Sequence, residues 1–151
     1  MKINRRSALR KTGQIALASV FGGNIVNVLA DAAATSKAIA EFAGDATPAA
    51  GTITLTAPEI AENGNTVPIS VSVESPMTEE SYVESVMIVA EDNPNPEVAT
   101  FHFTPASGVA RASTRMRLAK TQNVIAVAKM NDGSVFTDTR NVKVTIGGCG
   151  G

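Results

Sequence analysis

From Thr52 onward the chain alternates apolar and polar residues with period two, and this pattern restricts the possible folds more than any other feature of the sequence. Thr52-Ile-Thr-Leu-Thr-Ala sets Ile53 and Leu55 on one side, and Val67 to Val73 sets Val67, Ile69, Val71 and Val73 against Pro68, Ser70 and Ser72. Comparable runs cover 83–90, 98–103, 109–118, 123–130 and 134–146. Successive side chains of a strand point to opposite faces, so each run predicts a strand with one face available to a core. Glu62-Asn-Gly-Asn65, Asp92-Asn-Pro-Asn-Pro96, Ser107-Gly108 and Asn131-Asp-Gly133 punctuate the runs, and Asp132-Gly133 is the sharpest hairpin signal. Short strands at this spacing predict an all-β, immunoglobulin-like antiparallel sandwich of about seven strands, lacking the Trp and the cysteine pair of antibody domains. Ahead of them, 36–45 predicts a short helix with Ile39 and Phe42 on one side, followed by a Pro/Ala/Gly linker over 47–51.

The opening residues are of a different kind. Asn4-Arg5-Arg6-Ser7-Ala8-Leu9-Arg10-Lys11 is basic, 13–30 is moderately apolar, and alanines cluster at 30 and 32–34. A charged start, apolar middle and small-residue exit predict an export signal over 1–34, and the adjacent Arg5 and Arg6 point to the twin-arginine route into the periplasm. Gly13, Gln14, Gly22, Gly23, Asn24 and Asn27 make the middle too weakly apolar for a stable membrane span. An uncleaved N-terminal anchor is the rival reading.

Without those residues the chain is one domain of ordinary size. Eight basic and thirteen acidic residues then remain, for a net charge of −5, against −1 for the whole chain. That balance offers no footprint for nucleic acid or anionic lipid. Arg111, Arg115 and Arg117 alternate along one predicted strand, either as a solvated face or as a docking surface for a partner or an anionic adduct.

Little in the sequence can do chemistry by itself. His102 is the only histidine, so a His-based triad with a spare ligand and a His-rich metal site are both excluded; an ordinary strand histidine is the plain reading. There is no C-x-x-C, no Walker pattern and no G-x-G-x-x-G, and no cofactor or metal is expected. Asp92 to Glu97 has the composition of a Ca²⁺ loop but not EF-hand spacing. Cys149 remains, the only cysteine, set in Gly147-Gly148-Cys149-Gly150-Gly151. A glycine segment of this kind is expected to be an unpacked arm over 147–151, with nothing beside Gly148 for a larger side chain to meet. An ordinary thiol is only a few per cent ionised at neutral pH, and the nearest cation in sequence is Lys143. These residues suit a carrier whose thiol is activated in another protein's active site. The competing readings are an exported subunit crosslinked through Cys149 and a one-cysteine thiol reductase or peroxidase. The missing resolving cysteine counts against the last.

Val144-Thr-Ile-Gly-Gly-Cys-Gly-Gly151 resembles the end of the SoxY family of bacterial sulfur carriers, and the stretch from Ser113 to Val135 and the paired-arginine leader are similar to it as well. The resemblance implies an immunoglobulin-like domain over 35–146 and a carrier arm over 147–151, with sulfur intermediates held covalently on Cys149. It further implies a non-enzymatic role in thiosulfate oxidation and a heterodimer with a SoxZ-like sandwich subunit. The enzymes implied are a SoxAX-like c-type cytochrome that loads the thiol, a SoxB-like thiosulfohydrolase and a SoxCD-like sulfane dehydrogenase. Ala8 departs from the usual twin-arginine pattern.

Overall fold

Alternation alone does not say which strands meet; the computed structural model supplies the pairing and describes residues 25–148. The chain divides into two units, Met1–Ala30 and Asp31–Gly151. Residues 1–24 of the predicted leader, Arg5 and Arg6 among them, lie outside the described residues. Helix α1, Ile25–Ala43, begins earlier than the expected start at 36. It is followed by β1 (Ala49–Ala50), β2 (Ile53–Thr56), β3 (Ile60–Asn63), β4 (Val67–Val73) and β5 (Val83–Ala90). Then come β6 (Glu97–His102), a 3-10 turn at Pro105–Ser107, β7 (Ala110–Met116), β8 (Gln122–Met130) and β9 (Val135–Ile146).

The seven expected strands all form, and they fold as a two-sheet sandwich. One sheet runs β1-β9-β8-β5-β6, with β3 also on β9, and the other runs β2-β4-β7. All pairings among the seven are antiparallel. Two further strands depart from the expectation: β1 and β3 pair parallel with β9, at Ala49↔Phe136 and Ile60↔Lys143. The chain changes sheets between β2 and β3 at Ala57-Pro58-Glu59, where proline has no N–H to continue a ladder. The Glu59 carbonyl then accepts from the Lys143 N–H at 2.9 Å. A first strand shared between two sheets, with β5 passing to β6 before the chain crosses to β7, is immunoglobulin-like topology.

The period-two pattern is realised as burial. In β4 the residues Val67, Ile69, Val71 and Val73 are buried, facing Val86, Ile88, Val124, Ala126 and Val142 across the sandwich. β5 is different, because nearly every residue in it is buried. Its second face, Met87 and Val89, joins Val127, Val135 and Ala43, with Ile39 and Phe42 of the helix packed on. A strand covered on both sides must be apolar throughout, which explains the unbroken run Val86-Met-Ile-Val-Ala90. Asp138 of β9 ties the two sheets at one side, its carboxylate accepting from the Leu55 N–H of β2 at 2.8 Å.

The β8–β9 hairpin forms where Asp132-Gly133 predicts it. The Gly133 N–H donates to the Met130 carbonyl at 3.0 Å, and Gly133 adopts φ +85°, the left-handed region that favours glycine. Asp132 accepts from both the N–H and the hydroxyl of Ser134, at 2.8 and 2.6 Å, which holds its carboxyl below the ordinary carboxylate range.

Candidate functional site

The residues leading to Cys149 are not a free tail. β9 carries the chain to Ile146, whose carbonyl accepts from the Gly64 N–H at 2.7 Å. The Gly64 carbonyl accepts from the Leu118 N–H at 2.8 Å, and the Leu118 carbonyl accepts from the Gly148 N–H at 2.9 Å. Three segments, the β3–β4 turn, the β7–β8 loop and the end of β9, are thereby stitched backbone to backbone. A Cβ on Gly147 would overlap the Ala119 carbonyl oxygen. One on Gly148 would lie 2.8 Å from the Gly64 oxygen and 3.1 Å from the Asn65 nitrogen. One on Gly64 would overlap the Leu118 oxygen and approach the Gly148 nitrogen to 2.7 Å. The expectation that nothing packs at 148 is therefore overturned. Gly148 is buried, and both glycines are there because main chains pass too closely for any side chain.

The loop that receives them is fixed from below by two buried amides. Asn93 donates from Nδ2 to the Arg117 carbonyl at 2.8 Å, and its Oδ1 accepts from the Ala119 N–H at 3.0 Å and from Gln122 Nε2 at 2.9 Å. Gln122 also donates to the Lys120 carbonyl, and its Oε1 accepts from the Asp92 N–H at 2.8 Å. Every hydrogen-bonding atom of the Asn93 side chain is thus spent on shaping residues 117–122. The 92–97 segment, which by composition alone resembles a cation loop, is a brace for this corner. The sequence reading missed Asn93 and Gln122; a buried role for two polar residues in turn-like surroundings has no periodic signature.

The remaining candidates scatter. Cys149, Gly150 and Gly151 lie outside the described residues. Arg111 and Arg115 project from the outward face of β7, whereas Arg117 falls just beyond the strand and is exposed. The register that brings Leu118 onto Gly148 also brings Arg117 and Lys120 to the corner, although they are some thirty residues away in sequence. Lys120 is paired with Asp92 at 3.5 Å. His102 is exposed on β6, at the far edge of the sheet from β9. Among the described residues no three His, Cys, Asp or Glu side chains are grouped to hold a metal, and no helix is long and apolar enough to cross a membrane.

What the fold and this corner define is an immunoglobulin-like sandwich that anchors, by its own main chain, the segment leading into Cys149. The chain belongs to the SoxY family, matching the family described as "Sulfur oxidation protein SoxY" over residues 39–149. It is similar to the sulfur carrier protein SoxY from Chlorobium limicola f thiosulfatophilum, with 32% identity over 79% of this chain and 98% of that chain, at a TM-score of 0.65. The superoxide reductase (neelaredoxin) from Ignicoccus hospitalis is similar in fold alone, at 20% identity, 62% of this chain, 80% of that chain and a TM-score of 0.55. No curated protein of similar sequence is found.

Proposed function

We propose that this protein is the covalent carrier of sulfur intermediates in thiosulfate oxidation, exported to the periplasm and holding its cargo on Cys149. The observation that carries the reading is the clasp. Gly147 and Gly148 are consumed in main-chain contacts with Leu118 and Ala119, so Cys149 follows directly on an anchored residue. The family match also runs as far as Cys149. An anchored root with slim neighbours suits a thiol offered to other proteins' active sites.

In this reading the thiol and thiosulfate are joined through a new S–S bond. The thiol loses its proton, and two electrons pass to a SoxAX-like c-type cytochrome. Water then attacks the terminal sulfone sulfur in a SoxB-like hydrolase; its S–S bond breaks, sulfate leaves and a persulfide stays on Cys149. A SoxCD-like dehydrogenase would oxidise that sulfur further. The carrier itself is the shuttled substrate, working beside a SoxZ-like sandwich subunit. Cys149→Ser keeps the shape but removes the soft nucleophile, since a serine hydroxyl neither ionises near neutral pH nor forms a bond to sulfane sulfur of this kind. The serine variant should fold normally, show no adduct by intact mass after exposure to thiosulfate and the loading enzyme, and reduce thiosulfate oxidation to background. Retained oxidation in a strain with no other carrier would refute the reading. A disulfide-linked dimer without adducts would favour the crosslinking alternative.

A further inference from the structure

The two sheets are finished differently on their outer sides. The larger one is covered by α1, with Met87, Val89, Val127 and Val135 buried beneath the helix. The outer face of β2-β4-β7 is covered by nothing among the described residues. Its outward side chains are Thr54, Thr56, Pro68, Ser70, Ser72 and Ser113, together with Arg111 and Arg115, as the alternating burial of the three strands requires. No carboxylate projects from these strands on that side. The face dips into a shallow hollow of about 690 Å³ lined by Thr56, Pro58, Pro68, Ser70, Ser113 and Arg115.

The arginines are the unusual part. In a domain of net charge −5, three of the eight basic residues remaining after the predicted leader lie in one seven-residue stretch. Of the other five, Lys37, Lys120 and Arg140 each have a carboxylate partner, while Lys129 and Lys143 have no ion pair among the described residues but lie apart from one another in the sequence. The side chains of Arg111, Arg115 and Arg117 have neither ion pair nor hydrogen bond among the described residues. Their spacing identifies what they fit. At ~3.3 Å per residue, Arg111 and Arg115 are about 13 Å apart along the strand, and the row to Arg117 spans about 20 Å. Arg115 and Arg117 are close enough to share one small oxyanion, but a row that continues to Arg111, about 20 Å from Arg117, matches several carboxylates spread over a protein surface. The row also has a direction. It runs along β7 into Leu118 and Ala119, the residues that hold Gly148 and Gly147. Ile146, about two-thirds exposed, adds an apolar contact at the same corner.

We propose that the open β2-β4-β7 face, with Arg111, Arg115 and Arg117 as its charged row, docks an acidic surface beside the active-site entrance of the enzymes that act on Cys149. The proposal rests on the carrier reading above. Small outward side chains let a partner approach the sheet closely, and long-range attraction between a basic row and an acidic rim raises the encounter rate while sparing the chemical step. The docked partner would then lie next to the clasp that holds Gly148, the residue before Cys149.

The test uses the complete carrier with its companion subunit and the thiosulfohydrolase, following sulfate release at varied carrier concentration. Intact mass first establishes the adduct on wild-type Cys149; its absence sinks the carrier reading and the docking face with it. Arg111→Gln/Arg115→Gln/Arg117→Gln should raise KM for the carrier about tenfold at low salt while kcat holds, and Arg→Glu at the same positions should raise it further. Between about 20 and about 200 mM salt the wild-type KM should climb toward that of the glutamine variant, whose own dependence is flatter. Melting temperatures should stay equal, since the three side chains are exposed and unpaired. With wild-type turnover intact, an unchanged KM and salt dependence in the variants would overturn the docking face alone. So would two other results: saturable binding of free sulfate that the variants abolish without altering KM, or loss of the companion subunit from the glutamine variant, which would make the face an internal interface.

Discussion

Gly147 and Gly148 illustrate how one residue type can be correct for a reason composition does not reveal. Glycine beside a lone cysteine suggests freedom, but here it gives closeness: neither residue needs a left-handed backbone, and both lack room for a Cβ. Gly148→Ala should therefore cost about 1–3 kcal/mol of overpacking, taken locally as opening of the clasp. The Leu118 N–H, bonded to the Gly64 carbonyl, should exchange at least about fivefold faster by hydrogen-exchange NMR. Unchanged protection would mean the clasp does not anchor the segment. At the other end of β9, Asp132 has its carboxyl lowered from 3.8, chiefly by the Ser134 hydroxyl and then by the Ser134 N–H. A group depressed by folding contributes stability above its unfolded value, and that contribution is lost as pH falls through the folded one. Ser134→Ala should bring the Asp132 titration back up toward 3.8, read by carboxyl-carbon NMR, and should reduce the acid sensitivity of the hairpin.

Among the elements, the loop between β7 and β8 matters most, since its main chain holds Gly148 and passes close to Gly147. Its shape depends on Asn93, from a different loop, whose two polar atoms meet the Arg117 carbonyl, the Ala119 N–H and the Gln122 amide. Asn93→Ala would leave those buried groups without partners, at about 1–3 kcal/mol for such a group. The expected result is a lower melting temperature together with faster exchange at Gly148, two residues of chain remote from each other responding to one side chain. A loss of stability with Gly148 protection intact would separate the brace from the clasp. β3 is held in a similar way: four residues with a single buried side chain, Ala61, kept as a strand by parallel pairing to β9.

At the level of the whole fold, the described residues form two apolar interiors, one between the sheets and one beneath α1. The second is small and relies on Met87, Val89, Val127 and Val135. Met87→Ala should cost about 2–5 kcal/mol in urea unfolding, because the site lies between a helix and a sheet that cannot both close on the cavity. Thr35, buried at the start of the domain, donates to the Glu91 carbonyl at 3.2 Å. Processing near Ala34 would leave that tie and the Ile39 and Phe42 contacts in place.

Period-two burial is local information, so the seven strands, the Gly133 hairpin and the helix face bearing Ile39 and Phe42 could be read from the residues themselves. Cys149 draws attention in the sequence for a different reason, since a sole thiol among four glycines needs no neighbours to stand out. Tertiary structure alone decided the rest. β1 and β3 exist because β9 passes beside them, eighty or more residues later in the chain. Asn93 and Gln122 acquire a role only when two loops meet, and the exposure of Arg111 and Arg115 follows from β7 having one face on the core and the other uncovered among the described residues. The glycines before Cys149 are a matter of main-chain distance. Whether a glycine is free or confined depends on which backbones come within about 3 Å of it, and sequence carries no measure of that until the strands are in register.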